Sequence, residues 1–243
     1  MQIDSNQQLW NQATNSYQSL TNSRKLDSEY LRRKGLYNNI LKMAGDCTNS
    51  VVLDVGSGTG WLMERLLPYR GCQSDIASYS SQNDKYPFSV QDARHLAYRN
   101  DTFDLVVSSL VLIWIQEIDQ VCYEFWRVTK PNGRLIISLV HPYFYRTGTV
   151  TEHGDFIIHA DLSKEFSINR HFIAGEVGPF TYYYRSLDTY INYLIQSGWS
   201  ITQMKDWFID MNDYYKDNSI KTTAITRTGK VPMYTFIECL KNG

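Results

Sequence analysis

The chain has 243 residues, enough for one large domain or a domain with an insertion, and enough to bury a real core. Its hydrophobic fraction of 43% and charged fraction of 20% are ordinary for a globular protein, and a formal net charge of −1 provides no bulk field toward nucleic acid or an anionic membrane. The four cysteines are scattered, with no C-x-x-C pair and no histidines at metal spacing, so neither a disulfide scaffold nor a metal site is expected and a reduced, cytoplasmic setting is.

The N-terminal "MQIDSNQQLWNQ" is polar and has no signal-peptide core, and no apolar run approaches the ~20 residues of a membrane span. Residues 5–20 and 26–44 read as helices; in the second, Tyr30, Leu31, Leu36, Ile40 and Leu41 form an apolar face that Gly45 can end. "VVLDV" (51–55) is a buried strand, followed by a glycine loop and a helix from Thr59 to Leu67. "CQSDI" and "PFSVQD" are short strands, and "FDLVVSSL" is a strand covered on both faces. Ile118, Val121, Cys122, Phe125 and Val128 repeat at helical spacing over 117–128. "KPNG" then turns the chain into the strand "RLIISLV".

Strand and helix in alternation predict a doubly wound α/β fold with a parallel sheet. From His141 to Arg185 the pattern gives way to an irregular aromatic segment, read as a lid or substrate-binding subregion because so long a loop inside a domain needs a job. A helix over 187–196, with Ser186 and Gly198 as caps, leads to two strands near 199–208 and 233–241 that can pair as an antiparallel hairpin.

"VVLDVGSGTG" ends a strand in an aspartate and opens a helix through glycines at alternate positions. The dinucleotide fingerprint G-x-G-x-x-G needs a glycine where Trp61 stands, and no Lys-Ser/Thr pair follows to make a P-loop. Asp54 would repel a pyrophosphate and attract an amino group or a positive sulfur, both of which S-adenosylmethionine has. Asp75, ending the second strand, suits ribose hydroxyls; Asp92, ending the third, suits an adenine amino group. Any one of the three acids reads equally well as a turn or cap residue, but three at consecutive strand ends are far more specific.

These motifs resemble those of class I S-adenosylmethionine-dependent methyltransferases of the ubiquinone-biosynthesis-like type, most clearly over residues 50–140. "LDVGSGTGWL", "SDIA", "VQDARHL" and "FDLVVSSLVL" match the family's first four motifs, and "EFWRVTKPNGRLIIS" the stretch into the fifth strand. "LWNQATNSY" resembles the segment that folds over the cofactor, and "YRSLDTYINYLIQSGW" the helix before the sixth strand. The resemblance implies a seven-stranded, mostly parallel, Rossmann-like sheet with an N-terminal helical lid and an insertion after the fifth strand. It implies one methyltransferase domain over 1–243: N-terminal helices 1–45, cofactor-binding core 46–140, substrate-binding insertion 141–185 and the rest of the core 186–243.

By the same resemblance, Asp54, Gly56, Ser57, Gly58 and Gly60 surround the methionyl and ribose groups of S-adenosyl-L-methionine. Asp75 and Ile76 hold the ribose and pack on adenine, Asp92 and Ala93 meet the adenine edge, Ser109 lies at the methionyl end, and Tyr17 is a lid contact. The segment after Asp75 is too short for the family's usual second helix, and Ile113 stands where many relatives carry a histidine.

His141, at the end of the fifth strand, is the candidate base, against a histidine that merely bonds a backbone carbonyl. Tyr143, Tyr184 and Arg185 are candidate substrate contacts, against a strand of alternating exposure. The reading is methyl transfer to O or N of a small aromatic or apolar metabolite, in specialised metabolism, by a monomer or homodimer. Nucleic-acid motifs such as N/D-P-P-Y/F are missing and no membrane partner is expected. A non-catalytic S-adenosylmethionine-binding protein and a tRNA or protein methyltransferase stay open as alternatives.

Overall fold

Val51–Val55 and Phe103–Ser109 are apolar on both faces, so each needs cover on both sides. The computed structural model describes residues 7–14, 28–78, 85–143, 148–151, 156–159, 161–172, 177–210 and 231–243. In chain order, α1 (7–14) and α2 (Ser28–Ala44) precede β1 (Val51–Val55), α3 (Met63–Leu66), β2 (Arg70–Asp75), β3 (Phe88–Val90) and β4 (Phe103–Ser109). A 3-10 turn (Leu112–Trp114), α4 (Ile118–Val128) and β5 (Thr129–Val140) follow. The second half holds β6 (Gly148–Val150), β7 (Phe156–Ile158), β8 (Phe166–Phe172), β9 (Val177–Tyr184), α5 (Leu187–Gln196), β10 (Trp199–Trp207) and β11 (Tyr234–Lys241).

The seven-stranded sheet runs β10-β11-β5-β4-β1-β2-β3. Strands β1 to β5 are mutually parallel, while β11 runs antiparallel to both β5 and β10. The carboxyl ends of five strands therefore share one edge, and the strand order reverses between β1 and β4, where ligands of such sheets bind. β1 and β4 sit at the centre, with Val52, Leu53, Leu105, Val106 and Val107 buried. The helical spacing of α4 buries every residue it marks: Ile118, Val121, Cys122, Phe125 and Val128. Gly45, at φ 68°, ends α2 as expected, and Arg134 donates to the carbonyls of Met43 (3.1 Å) and Ala44 (2.6 Å), which the helix end leaves without partners. Among the described residues no helix is long and apolar enough to cross a membrane.

Three expectations are corrected. The helix after the glycine loop covers only Met63–Leu66, because Gly58 and Gly60 take positive φ values incompatible with a helix and Leu67, at φ 46° before Pro68, stops it. "KPNG" is not a turn ahead of β5 but lies within it: the register jumps from Phe103↔Thr129 to Leu105↔Arg134, and Asn132 at φ 62° absorbs the extra residues. The segment after His141 is not irregular throughout, since β6 pairs with β7 and β8 with β9 in two antiparallel hairpins.

Candidate functional site

The glycine loop crosses the carboxyl ends of β1 and β2. The N–H groups of Gly56 and Ser57 both donate to the Ser74 carbonyl, at 2.7 and 3.0 Å, which folds the loop back over β2. Gly58 N–H donates to Asp75 Oδ2 at 2.9 Å, and Gly60 N–H to the Ser57 carbonyl at 3.0 Å. Gly56 takes φ 72° and faces Val111 so closely that a Cβ there would collide with the valine. Gly58 takes φ 52°, which a branched side chain strongly disfavours.

Asp54 is buried beneath the loop, and its Oδ2 has no hydrogen-bond partner. Burial, then repulsion from Asp75, pushes its carboxyl up to about 8. Asp75 is pushed up to about 6 by burial, against the pull of the Ala77, Gly58 and Ile76 amides. Ser57 Oγ, Gln73 Oε1 and Ser74 Oγ are also buried without partners. The four orphaned oxygens come from the end of β1 (Asp54), the glycine loop (Ser57) and β2 (Gln73 and Ser74), with Asp54 and Gln73 register partners. Natural proteins rarely tolerate such a cluster unless a ligand or water completes it. A polar, partly cationic ligand such as S-adenosylmethionine fits this set of oxygens.

α1 lies over the same edge. Gln7 Nε2 donates to the Ile76 carbonyl (3.0 Å), and Asn11 Oδ1 accepts from Ser78 N–H (2.9 Å). Trp10 joins an aromatic cluster with Trp114 (5.6 Å) from the 3-10 turn and Phe180 (4.5 Å) from β9, and Trp114 also meets Tyr182 at 5.7 Å. Helix α1, the turn after β4 and strand β9 therefore converge above the sheet edge. Tyr17, the expected lid contact, lies outside the described residues.

At the end of β3, Asp92 forms a forked pair with Arg94, whose Nη1 also reaches Glu117 at 2.9 Å. Burial pushes the Asp92 carboxyl up, but the Arg94 bonds outweigh it and hold the group below its usual range. Ala93 beside it is buried. Ser109 ends β4 with its hydroxyl 3.0 Å from that of Ser138, and Leu110 turns sharply at φ 60°.

His141 does stand at the carboxyl end of β5. Its Nδ1 accepts from Tyr143 N–H at 3.2 Å, and its Nε2 lies 3.8 Å from Asp206 Oδ2 on β10. The neutral ring therefore carries its proton on Nε2 and has its one acceptor nitrogen engaged. Burial lowers its pKa, with Asp206 opposing. Tyr143 is half-exposed against the imidazole.

Tyr184 is buried and stacked on Phe166 at 4.5 Å, giving the strand the alternating exposure of its neighbours. Arg185 is turned into the protein rather than into a pocket: it donates to the Gln116 carbonyl (2.6 Å) and the Leu112 carbonyl (3.5 Å) and pairs with Glu165 (3.3 Å). These bonds pin the ends of the turn that carries Trp114. Sequence reading overlooked Gln73, Asp206 and Trp114. Gln73 and Asp206 carry no local signal, because a polar residue within a strand acquires meaning only from what pairs beside it.

Residues 53–137 match a family model described as a methyltransferase domain. Over that stretch the chain is similar to methyltransferase domains. Over 110 residues it is 34% identical to the biotin biosynthesis bifunctional protein BioHC of Cellvibrio japonicus, across 42% of this chain and 21% of that protein. It is 29% identical over 106 residues to the malonyl-[acyl-carrier protein] O-methyltransferase of Yersinia pestis, across 41% and 40% of the two chains. The chain thus spans less than half the length of these two relatives. The crystal structure of an S-adenosylmethionine-dependent methyltransferase from Mesorhizobium loti shares its fold, with a TM-score of 0.70 at 18% identity, over 86% of this chain and 99% of the other.

Proposed function

We propose that the protein transfers a methyl group from S-adenosylmethionine to a small acceptor held between the sheet edge and the insertion. The observation that carries this reading is the glycine loop joined to Asp75 through Gly58 N–H, with four orphaned buried oxygens grouped around it. Asp54 faces the charged methionyl end, Asp75 and Ile76 the ribose and adenine, and Ala93 the adenine edge. Asp92 serves through whichever lone pairs its fork with Arg94 leaves. When bound, S-adenosylmethionine supplies an electrophilic methyl carbon on a sulfonium.

The chain's own task is alignment and exclusion of water. The domain division is proposed accordingly, with 141–185 as the acceptor-binding part and Trp114, Phe180 and Tyr182 as its apolar wall. Pockets for planar or apolar molecules are built this way. A relative named as a malonyl-[acyl-carrier protein] O-methyltransferase supports oxygen as the acceptor atom, with nitrogen kept as the other acceptor the reading allows. The near-neutral charge favours a small molecule over nucleic acid. Arg185 is proposed to position the turn that carries Trp114 rather than to touch the acceptor. His141 is proposed to fix the exit of β5; service as a base requires Tyr143 N–H to release Nδ1 first.

The test is calorimetric titration of S-adenosylhomocysteine into wild type, Gly58→Val and Asp75→Ala, followed by methyl transfer from labelled S-adenosylmethionine to a panel of small hydroxylated and amino aromatics. Wild type should bind and both variants should lose at least about tenfold in affinity, the value of one well-placed charged hydrogen bond. Unchanged affinity in folded Gly58→Val removes the site assignment. Tight binding with no transfer to any acceptor class turns the reading to a non-catalytic S-adenosylmethionine-binding protein.

A further inference from the structure

The glycine loop spends its amides within the protein. The N–H groups of Gly56 and Ser57 go to the Ser74 carbonyl, that of Gly58 to Asp75, and that of Gly60 to the Ser57 carbonyl. Gln73 Nε2 is committed to the Tyr86 carbonyl at 3.2 Å, and the two Asp75 oxygens are taken by Gly58 and Ala77. No backbone or side-chain donor is bonded to Asp54 Oδ2. Gln73 Oε1, Ser57 Oγ and Ser74 Oγ also lack partners, and Asp54 is only 2% exposed.

The groups around Asp54 are few in kind. In register it meets Gln73 on β2 and Val107 on β4; the loop contributes Ser57, and Val111 closes over Gly56. Among the described residues, the one ionisable neighbour that acts on it is Asp75, also an acid. A carboxylate without donors or a cation, next to a second carboxylate, is expensive to bury. A carboxylic acid in the same place is neutral and brings an O–H donor of its own, with the unpartnered Gln73 Oε1 on its register partner as an acceptor.

We propose that Asp54 carries a proton in the ligand-free protein and surrenders it when the α-ammonium of the cofactor docks, so that cofactor binding is coupled to proton release. This rests on the cofactor reading above. The proton leaves the Asp54 carboxyl for the buffer, and the carboxylate left behind pairs with the ammonium, so charge balances without any other reactant. Burial and the Asp75 charge push the group in the same direction, up to about 8. The consequence is an affinity that weakens as pH falls through the neutral range, where a surface aspartate would give no dependence.

The experiment is calorimetric titration of S-adenosylhomocysteine at pH 6.5 in two buffers of different ionisation enthalpy. At that pH the ligand's α-amino group is protonated, being an ordinary amine with a pKa of about 8. Wild type should release close to one proton per ligand, and affinity should rise roughly tenfold from pH 6.5 to 7.5. Asp54→Asn should abolish the release and flatten the pH dependence, whereas Asp75→Asn should keep the release. Wild-type binding without proton exchange overturns the proposal, as does release that persists in Asp54→Asn. Absence of binding at every pH overturns the cofactor reading itself, and the coupling with it. Should the Asn variant bind too weakly to titrate, the carbon-13 shift of the Asp54 carboxyl in ligand-free wild type decides: an acid at pH 6.5 supports the coupling, a carboxylate ends it.

Discussion

At the scale of single residues, the site is built from groups that cost stability to keep. Asp54 has its carboxyl pushed up to about 8. A carboxyl raised in the fold contributes nothing unfavourable below the unfolded value of about 4, and its cost grows as pH rises through the folded value. Asp54→Asn should therefore melt higher than wild type at pH 8, by more than ~1 kcal/mol or about 2–4 °C. The gain should shrink toward pH 5, and scanning calorimetry of the ligand-free proteins at the two pH values checks it. His141 works in the opposite pH direction. Its lowered pKa means that the unfolded chain takes up a proton before the folded one does, so its contribution is lost as pH falls below about 6.5. Nitrogen-15 spectra of the imidazole should show the proton on Nε2 at pH 7 and a neutral ring persisting below that value. A proton on Nδ1 would remove the Tyr143 contact and reopen His141 as a base.

At the scale of elements, α1 is held by three attachments at the carboxyl edge of the sheet: Gln7 to Ile76, Asn11 to Ser78, and Trp10 to Trp114 and Phe180. An aromatic pair is worth about 0.5–1.5 kcal/mol beyond its buried area, so Trp10→Ala should speed S-adenosylhomocysteine dissociation roughly tenfold. Stopped-flow displacement measures this, and an unchanged rate would show that α1 does not gate the site. Elements whose burial follows a period were legible in the sequence. α4 could be read from its five apolar positions, the central strands from their unbroken apolar runs, and the β10–β11 hairpin from two strand-like stretches near the end. What failed was decided by backbone conformation or distant pairing. The loop glycines and Leu67 shorten α3. Asn132 lets β5 absorb a turn sequence. β8 and β9 share a register irregularity between Arg170 and Phe172 that blurs their alternation. The three acids at strand ends were legible because β1, β2 and β3 end at one edge. That Asp92 is forked to Arg94, that Arg185 faces inward and that Asp206 meets His141 depend on neighbours far away in the chain or on rotamers that no spacing reports.

At the scale of the whole molecule, the last strand is locked by one cation at the end remote from the site. Lys241 is buried, and its Nζ donates to the carbonyls of Thr129 (2.7 Å) and Trp126 (2.9 Å) and to Asp101 (2.7 Å) while lying 3.8 Å from the centre of the Trp126 ring. Because β11 is antiparallel to β5, its end sits beside the start of β5, and the lysine ties the final strand to the α4–β5 junction. Asp101 is half-exposed, so its ion pair adds little. The main cost of losing the lysine is two carbonyls left without a donor, about 1–3 kcal/mol, or roughly 3–9 °C in melting temperature for a chain of this size. Lys241→Met should show that loss. Lys241→Arg should restore little of it, since a planar fork cannot direct three donors as an ammonium does. Affinity for S-adenosylhomocysteine in the folded fraction should stay at the wild-type value, because the tie and the glycine loop lie at opposite edges of the sheet. A variant that melts normally would show the lysine to be dispensable. One that loses affinity in step with stability would show that the two edges are mechanically linked through β5 and β11.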